Sequence, residues 1–278
     1  MSVIFKRQAS FFFSSEEKTG ATNISQNGSV FDVILSNPIS IPSGAVNAEL
    51  AIINAQVWYV NPNVSVLLAN NKFKFTTTNA PAGTYTLTLP DGLYSLPELN
   101  STISNAIINL GLPATLFRFT GDDATQSTII TFLTSGDSID FTVANSLRLI
   151  LGFDNIVYTA PSANYNLYSP NIAALNTDSS YIISSNIIPN GIPINNRAYG
   201  ALVNIPISNK PGLQILYAPT NITWCDANSL IGKNTQSLNF RLTNQNLVPV
   251  DTRGERYQFT MVIRWQLLLT DKALPMRP

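Results

Sequence analysis

The stretch "RYQFTMVIRWQLLL" near the C-terminus constrains the fold most strongly, because its apolar residues alternate strictly with other residues. A period of two is typical of a β-strand that packs one face on a core. We therefore expect a strand here, and we expect Met261, Ile263 and Trp265 to face that core. The apolar positions of the pattern are Tyr257, Phe259, Met261, Ile263, Trp265, Leu267 and Leu269.

Other runs rich in Val, Ile, Phe and Tyr indicate further strands on both sides of a different middle segment. They include "VFDVIL" and "AVNAELAIINAQVWYV" before it, and "SYIISSNII", "YGALVNIPI", "LQILYAP" and "SLNFRLT" after it. These two groups predict one β-sandwich built from residues 28–69 and 159–278. Residues 1–27 lack sustained periodicity, and we interpret them as an N-terminal arm that is dispensable for folding and docks to a partner.

The middle segment, residues 70–158, combines a hairpin, a helix and short strands, and predicts a small inserted α+β domain. The helix is indicated by "SLPELNSTISNAIINLG", where Ser95 and Glu98 form a capping box and Gly111 suits the position after the helix. One apolar stripe along this helix predicts packing on one face of a small sheet. The stripe consists of Leu96, Leu99, Ile103, Ile107 and Leu110.

Composition excludes several classes of function. The chain has no histidine and a single cysteine, so Ser-His-Asp and Cys-His catalysis, an intrachain disulfide and Cys-rich zinc sites are excluded. Net charge is zero and only 12% of residues are charged, which favours association and gives no basic groove for nucleic acid. No apolar run approaches the ~18 residues of a transmembrane helix, so no membrane partner is expected.

Carboxylates in turns are the only candidates for a cation site. Gly121, Asp122, Asp123 and Asp137 could contribute oxygen ligands, but two solvated hairpin turns are the favoured interpretation. Glu16 and Glu17 lie in the predicted arm, where nothing would desolvate them for acid–base chemistry. No catalytic, cofactor-binding or metal-binding residue is therefore assigned, and no cofactor is expected.

Three other features concern packing and association. The loop around Asp251, Arg253, Glu255 and Arg256 alternates in charge, which indicates an exposed turn or, as the alternative, a contact between subunits. Cys225 follows Trp224 in an apolar run and is interpreted as a buried, inert thiol. The adjacent aromatic residues at 58 and 59 must point to opposite faces of a strand, so one of them either serves an interface or is covered by a loop.

The combination of these stretches resembles a known family. "LPDGLYSLPELNSTISNAIINLG", followed by "SLRLILGF", is similar to the inserted segment of penton (minor capsid) proteins of virophages, of the mavirus type, and of Polinton-like elements. "LVNIPISNKPGLQILYAPTNITW" and "LNFRLTNQNLVPVDTRGERYQFTMVIRW" resemble their C-terminal half. The resemblance covers most of residues 45–266 and implies an all-β fold, a single jelly-roll sandwich with an inserted domain that projects outward.

The same resemblance implies a structural function without enzyme activity. The expected protein is a homopentamer at icosahedral vertices of a virion that is assembled in the host cytoplasm. Its expected partners are copies of itself, neighbouring major capsid protein capsomers and, through the insertion, a host receptor. The alternatives are a receptor- or glycan-binding β-sandwich spike module and a hydrolase that uses carboxylates only.

Overall fold

Strands dominate the computed structural model, which describes residues 3–176, 178–194 and 200–269. In chain order its strands and α-helices are β1 Val3–Ser14, β2 Ala21–Ser25, β3 Val30–Ser40, β4 Ala45–Trp58, β5 Lys72–Thr77, β6 Gly83–Thr88, α1 Leu96–Asn109, β7 Phe117–Asp122, β8 Ser127–Phe132, β9 Ser138–Asp140, α2 Arg148–Leu151, β10 Val157–Thr159, β11 Tyr165–Tyr168, β12 Ser180–Ser185, β13 Ala201–Pro206, β14 Gln214–Tyr217, β15 Cys225–Asp226, β16 Asn234–Asn244 and β17 Gln258–Leu269. None of the described helices has the length and apolar character needed to cross a membrane.

The chain divides into two compact units. We call residues 1–60 together with 178–278 the sandwich unit, and residues 61–177 the insertion unit. The insertion unit is continuous in sequence, whereas the sandwich unit is assembled from the two ends of the chain. Each unit has its own hydrophobic core, described separately below.

The sandwich unit is wound as a jelly roll. Its eight main strands, in chain order, are β1, β3, β4, β12, β13, β14, β16 and β17. One sheet has the order β1-β17-β4-β14, which places the first strand beside the eighth and the third beside the sixth. The other has the order β13-β12-β16-β3, with β2 added at the edge beside β3. This order confirms the predicted all-β, single jelly-roll sandwich.

Aromatic side chains from both sheets fill the sandwich core. The Phe13 ring of β1 lies 4.7 Å from the Phe240 ring of β16, and Phe240 lies 5.0 Å from Phe259 of β17. Phe31 of β3 joins the cluster at 5.4 Å from Phe240. Tyr257 is fully buried beside them, and its hydroxyl group donates a hydrogen bond to the carbonyl oxygen of Ser29 at 2.9 Å. Burial raises the pKa of Tyr257 well above its usual value, so the phenol stays neutral and can serve as this donor.

The last strand follows the predicted pattern with two departures, at Val262 and Trp265. Met261 and Ile263 are fully buried, as the alternation predicts, and Trp265 is half-buried. Val262 was predicted to face outward, yet it is buried too. The prediction for Met261 and Ile263 is confirmed, and Trp265 faces the core only in part.

The predicted arm is wrong. Residues 3–14 form β1, which pairs with β17 over its whole length without a register shift, from Val3 opposite Leu269 to Ser14 opposite Gln258. Phe13, which lies in the segment interpreted as a docking arm, is in the core with 4% exposure. Local periodicity could not show this, because the partner strand lies at the other end of the sequence.

The insertion unit has two sheets and one long helix. The sheets have the orders β10-β9-β5-β6 and β11-β8-β7. Phenylalanine rings from both sheets meet in its core, where Phe73 and Phe75 of β5 lie 5.7 and 5.2 Å from Phe117 of β7. Leu99, Ile103 and Ile107 of α1 are buried in the same core.

Helix α1 ends where the sequence predicts. Ser95 Oγ accepts the Glu98 N–H while Glu98 Oε2 accepts the Ser95 N–H at 2.8 Å, so both halves of the capping box form. Gly111 adopts φ +77° and donates to Ile108 O at 2.8 Å. The Leu112 N–H reaches back to Ile107 O at 3.3 Å, which completes a Schellman turn.

The borders of the insertion lie further out than the predicted 70 and 158. Val64 is fully buried within the insertion core, and Leu167 of β11 is buried there as well. Asn63 closes the two ends of the unit: its Nδ2 donates to the carbonyl oxygens of Tyr94 and Leu175, each at 2.8 Å. Its Oδ1 accepts the Tyr94 N–H at 2.8 Å. Residues 159–171, predicted as part of the sandwich, therefore belong to the insertion and contribute β11 to it.

Candidate assembly surfaces

Two charged segments that are distant in sequence meet at one end of the sandwich unit. The turn after β1 (Ser15–Lys18) and the loop before β17 (Asp251–Arg256) line an open groove of about 550 Å³. Arg256 Nη1 lies 2.6 Å from Glu16 Oε1, which ties the turn to the loop. The Arg256 side chain is 57% exposed, so this ion pair contributes little to stability. Both segments were noted in the sequence, but their proximity was not predicted.

The chain leaves the sandwich and returns to it at the same end of the sheets. β4 ends beside the start of β17, where Gln56 lies opposite Gln258. β12 begins beside the end of β16, where Tyr181 lies opposite Asn244. The loop Asp251–Arg256 connects β16 and β17, so it belongs to this end too. The charged loop Asp251–Arg256 therefore lies at the end of the sheets where β4 ends and β12 begins.

The candidate carboxylates do not form one site. Asp122 ends β7 opposite Ser127, at the start of β8, whereas Asp137 follows the far end of β8. Six residues of strand separate these ends by roughly 20 Å. Asp122 accepts hydrogen bonds from Thr125 Oγ1 at 2.9 Å and Ala124 N–H at 3.0 Å. These contacts lower the pKa of the Asp122 carboxyl and make this residue part of a hairpin turn, as the favoured interpretation states.

Asp137 is not in a solvated turn, so that interpretation is wrong for this residue. It is fully buried, and its Oδ1 accepts from Thr77 Oγ1 at 3.1 Å, Thr78 N–H at 2.8 Å and Thr78 Oγ1 at 3.2 Å. Its Oδ2 accepts from Asn79 Nδ2 at 3.3 Å. Both oxygens of Asp137 thus accept hydrogen bonds from the protein, and these bonds hold the end of β5 and the residues after it.

Cys225 is buried in β15, as predicted. Burial raises the pKa of the Cys225 thiol, so the reactive thiolate is disfavoured. Tyr59 is buried while Trp58 is half-buried, which agrees with the predicted opposite orientations. Among residues 3–176, 178–194 and 200–269, no group of three or more Cys, Asp and Glu side chains is placed to hold a metal ion.

Two exposed apolar features were not predicted. The first is the outer part of β1, where Ile4 is 55% and Phe12 is 61% exposed. The second is the loop Val66-Leu67-Leu68 of the insertion unit, where Leu67 is 82% exposed. Three consecutive apolar residues are visible in the sequence, but only the structure shows that they point to solvent.

The insertion loop is held by hydrogen bonds. Ser65 Oγ accepts the Leu68 N–H at 3.0 Å, and Asn70 Oδ1 accepts the Ser65 N–H at 2.9 Å. Asp91 Oδ1 accepts the Val66 N–H at 2.9 Å. The apolar side chains are therefore presented by an ordered backbone, which is what a binding surface needs because little ordering entropy remains to be lost.

Comparison with known proteins gives a likeness to solved structures and no match by sequence. No family model matches the chain, and no curated protein matches its sequence. Among solved structures, the chain is similar to the mavirus penton protein, with 12% sequence identity and a TM-score of 0.47. The similarity covers 93% of this chain and 99% of that protein.

Proposed function

We propose that this chain is a structural capsid protein whose jelly roll forms the homopentameric vertex of an icosahedral particle. The observation that carries the proposal is the strand order of the sandwich unit. Both of its jelly-roll sheets are complete, although the insertion unit interrupts the sequence between β4 and β12. Jelly rolls of this kind are used for capsid shells, and also for lectin and cupin domains. The sequence resemblance to penton proteins favours the first of these uses.

The chemistry of the described residues supports assembly rather than catalysis. The groove between the turn after β1 and the loop before β17 is open and lined by side chains of both charge signs, including the Glu16–Arg256 pair. Burial raises the pKa of Cys225 and Tyr257 and so favours their neutral forms. A catalytic nucleophile needs a lowered pKa or an adjacent base instead. The proposed role is therefore structural, without enzyme activity or a cofactor.

Fivefold closure requires that two different surfaces of one subunit meet. We assign these surfaces to the sandwich unit, which would also contact neighbouring major capsid protein capsomers in a virion assembled in the host cytoplasm. The apolar loop Val66-Leu67-Leu68 gives the insertion unit a surface suited to a receptor on the host. Neither role needs nucleic acid or a membrane as a partner.

Mass measurement of the purified chain tests the proposal. Sedimentation or native mass spectrometry at high protein concentration, across a series of salt concentrations, is expected to show pentamers. Because charge is scarce, their dissociation should depend only weakly on salt, with any dependence removed by Arg256→Ala. A stable trimer, as expected for a spike module, would contradict the proposal, because a threefold ring cannot occupy a fivefold vertex by the same contacts.

A further inference from the structure

The sandwich unit has four sheet edges, and three of them are protected against pairing with another strand. β14 has four residues, and Asn209 Nδ2 donates to its Gln214 carbonyl oxygen. β13 ends in Pro206, and its Ala201 carbonyl oxygen already accepts the Ile192 N–H at 2.7 Å. β2 has five residues and an irregular register, with Asn23 in the left-handed region.

The fourth edge, β1, has none of these protections. It is twelve residues long, contains no proline, and keeps a continuous register with β17. Within the described part of the chain, no other strand pairs with it. Its charges, Lys6 and Arg7, lie in the N-terminal half, so the half from Ala9 to Ser14 is uncharged and rich in phenylalanine. Long, apolar edges of this kind pair with other chains.

The backbone groups available for such pairing follow from the ladder. The Ser15 N–H donates to the Tyr257 carbonyl oxygen at 3.0 Å, and these two residues continue the register of β1 and β17. In an antiparallel ladder, residues that bond the partner alternate with residues whose N–H and C=O point away. Odd-numbered residues of β1 therefore bond β17. The N–H and C=O groups that face the free side belong to the even-numbered residues, Ile4, Lys6, Gln8, Ser10, Phe12 and Ser14.

We propose that β1 is an acceptor for an extended segment of another protein chain, which adds to the sheet as a further antiparallel strand. A row of alternating donors and acceptors is matched by extended backbone, so the occupant must be a β-strand. Side chains define it further. Lys6 is exposed near one end of the row and forms no ion pair with the described residues, so a carboxylate of the segment is expected there. Phe12 is exposed near the other end of the row, so an apolar side chain of the segment is expected there.

This strand acceptance goes beyond the proposed vertex role, since it concerns the single chain and not the fivefold ring. The probe is a short capped peptide of alternating valine and threonine with two glutamates at its C-terminal end, about eight residues long to match a strand. The antiparallel direction places the glutamates beside Lys6. Backbone amide exchange of the full-length chain, followed by NMR, reports the pairing directly.

The peptide is expected to slow exchange at Gln8, Ser10 and Phe12, while Ala9 and Phe11 are protected with and without it. Ser10→Pro removes an N–H on the free side and places a ring there, whereas Ser10→Ala keeps the N–H. We expect Ser10→Pro to weaken binding about tenfold or more and Ser10→Ala to leave it unchanged. The same peptide ending in two lysines should bind more weakly than the glutamate form.

Melting curves establish whether the variants fold. If Ser10→Pro does not fold, Gln8→Pro and Gln8→Ala give the same comparison. Absence of protection at about 1 mM peptide would overturn the proposal. So would equal binding by Ser10→Pro and Ser10→Ala. Protection of Gln8, Ser10 and Phe12 in the peptide-free chain would also overturn it, because the edge would already be paired. If that protection rises with protein concentration, the occupant is a second copy of the chain.

Discussion

The two units are built from contacts of different range. In the insertion unit, β5 pairs with β6 and β7 pairs with β8, so the sheets grow from neighbouring strands. In the sandwich unit, β1 pairs with β17, and Ala9 lies opposite Ile263. The insertion can thus form within one continuous segment, whereas the sandwich requires both ends of the chain. Asn63 joins the two ends of the insertion, because it lies near the first residue of the unit and donates to the Leu175 carbonyl oxygen near the last.

The largest expected effect comes from removing β1. Deletion of residues 1–14 takes away a complete strand and the Phe13 ring, so we expect the sandwich unit to lose its folded state. The stability of a domain is about 5–15 kcal/mol, and an entire core strand exceeds that reserve. The insertion unit should remain protected in hydrogen exchange, because none of its pairing involves β1. A deletion variant that melts like the full chain would restore the arm interpretation and contradict the structure.

A pair of adjacent substitutions sharpens the same point. Phe13→Ala removes a buried ring and should destabilise the sandwich unit by about 3–5 kcal/mol. Phe12→Ala, on the exposed face, should change stability by no more than about 0.5 kcal/mol. Urea unfolding of both variants gives the comparison. Equal effects would show that β1 does not present alternate residues to core and solvent.

A single side chain tests the closure of the insertion. Asn63→Ala leaves the Tyr94 N–H and two carbonyl oxygens without their buried partner, and should cost the insertion unit about 1–3 kcal/mol. Asn109→Ala, at the exposed end of α1, serves as the control and should lie within about 0.5 kcal/mol of the wild type. The sandwich unit should be unaffected by either change. Loss of stability in the sandwich alone would contradict the division described above.

The smallest expected effect is a response to acid. Three carboxyl groups of the insertion unit have a lowered pKa: Glu98 through the Ser95 backbone, Asp122 through Thr125 and Asp140 through Lys74. In the sandwich unit, hydrogen bonds from Asn239 and Asn23 lower the pKa of Asp32. A lowered folded-state pKa means that the unfolded chain binds protons more readily, so stability is present above about pH 4 and is lost below it.

We therefore expect the stability of the insertion unit to fall more than that of the sandwich unit when the pH is lowered from 6 to 3. Site-resolved hydrogen exchange at several pH values separates the two responses. Asp140→Asn should reduce the acid sensitivity of the insertion. A larger acid effect on the sandwich than on the insertion would show that other groups dominate.

The difference in contact range also explains what the sequence could predict. Helix α1, its capping box and its buried stripe depend on residues within one turn or two of each other, and they were predicted correctly. The jelly roll followed from periodicity together with the resemblance to a family. The role of β1 was missed, because its evidence lies in a partner strand at the other end of the chain.

The candidate surfaces show the same limit. The exposed apolar loop Val66-Leu67-Leu68 has a sequence that is equally compatible with a buried strand. Asp137 is buried because residues 77–79 donate hydrogen bonds to it. The sequence pattern alone does not show that these residues lie beside Asp137. Proximity of Glu16 and Arg256 likewise depends on the pairing of β1 with β17. Functional surfaces built from distant segments therefore need the structure.

Electron cryomicroscopy of particles that contain this chain tests the central claim most directly. The account predicts five copies around each fivefold vertex, with the sandwich units forming the ring contacts and each insertion unit resolved as a separate density. Density for the chain at positions off the fivefold axes would contradict it. So would a ring in which the insertion units alone form the contacts between copies.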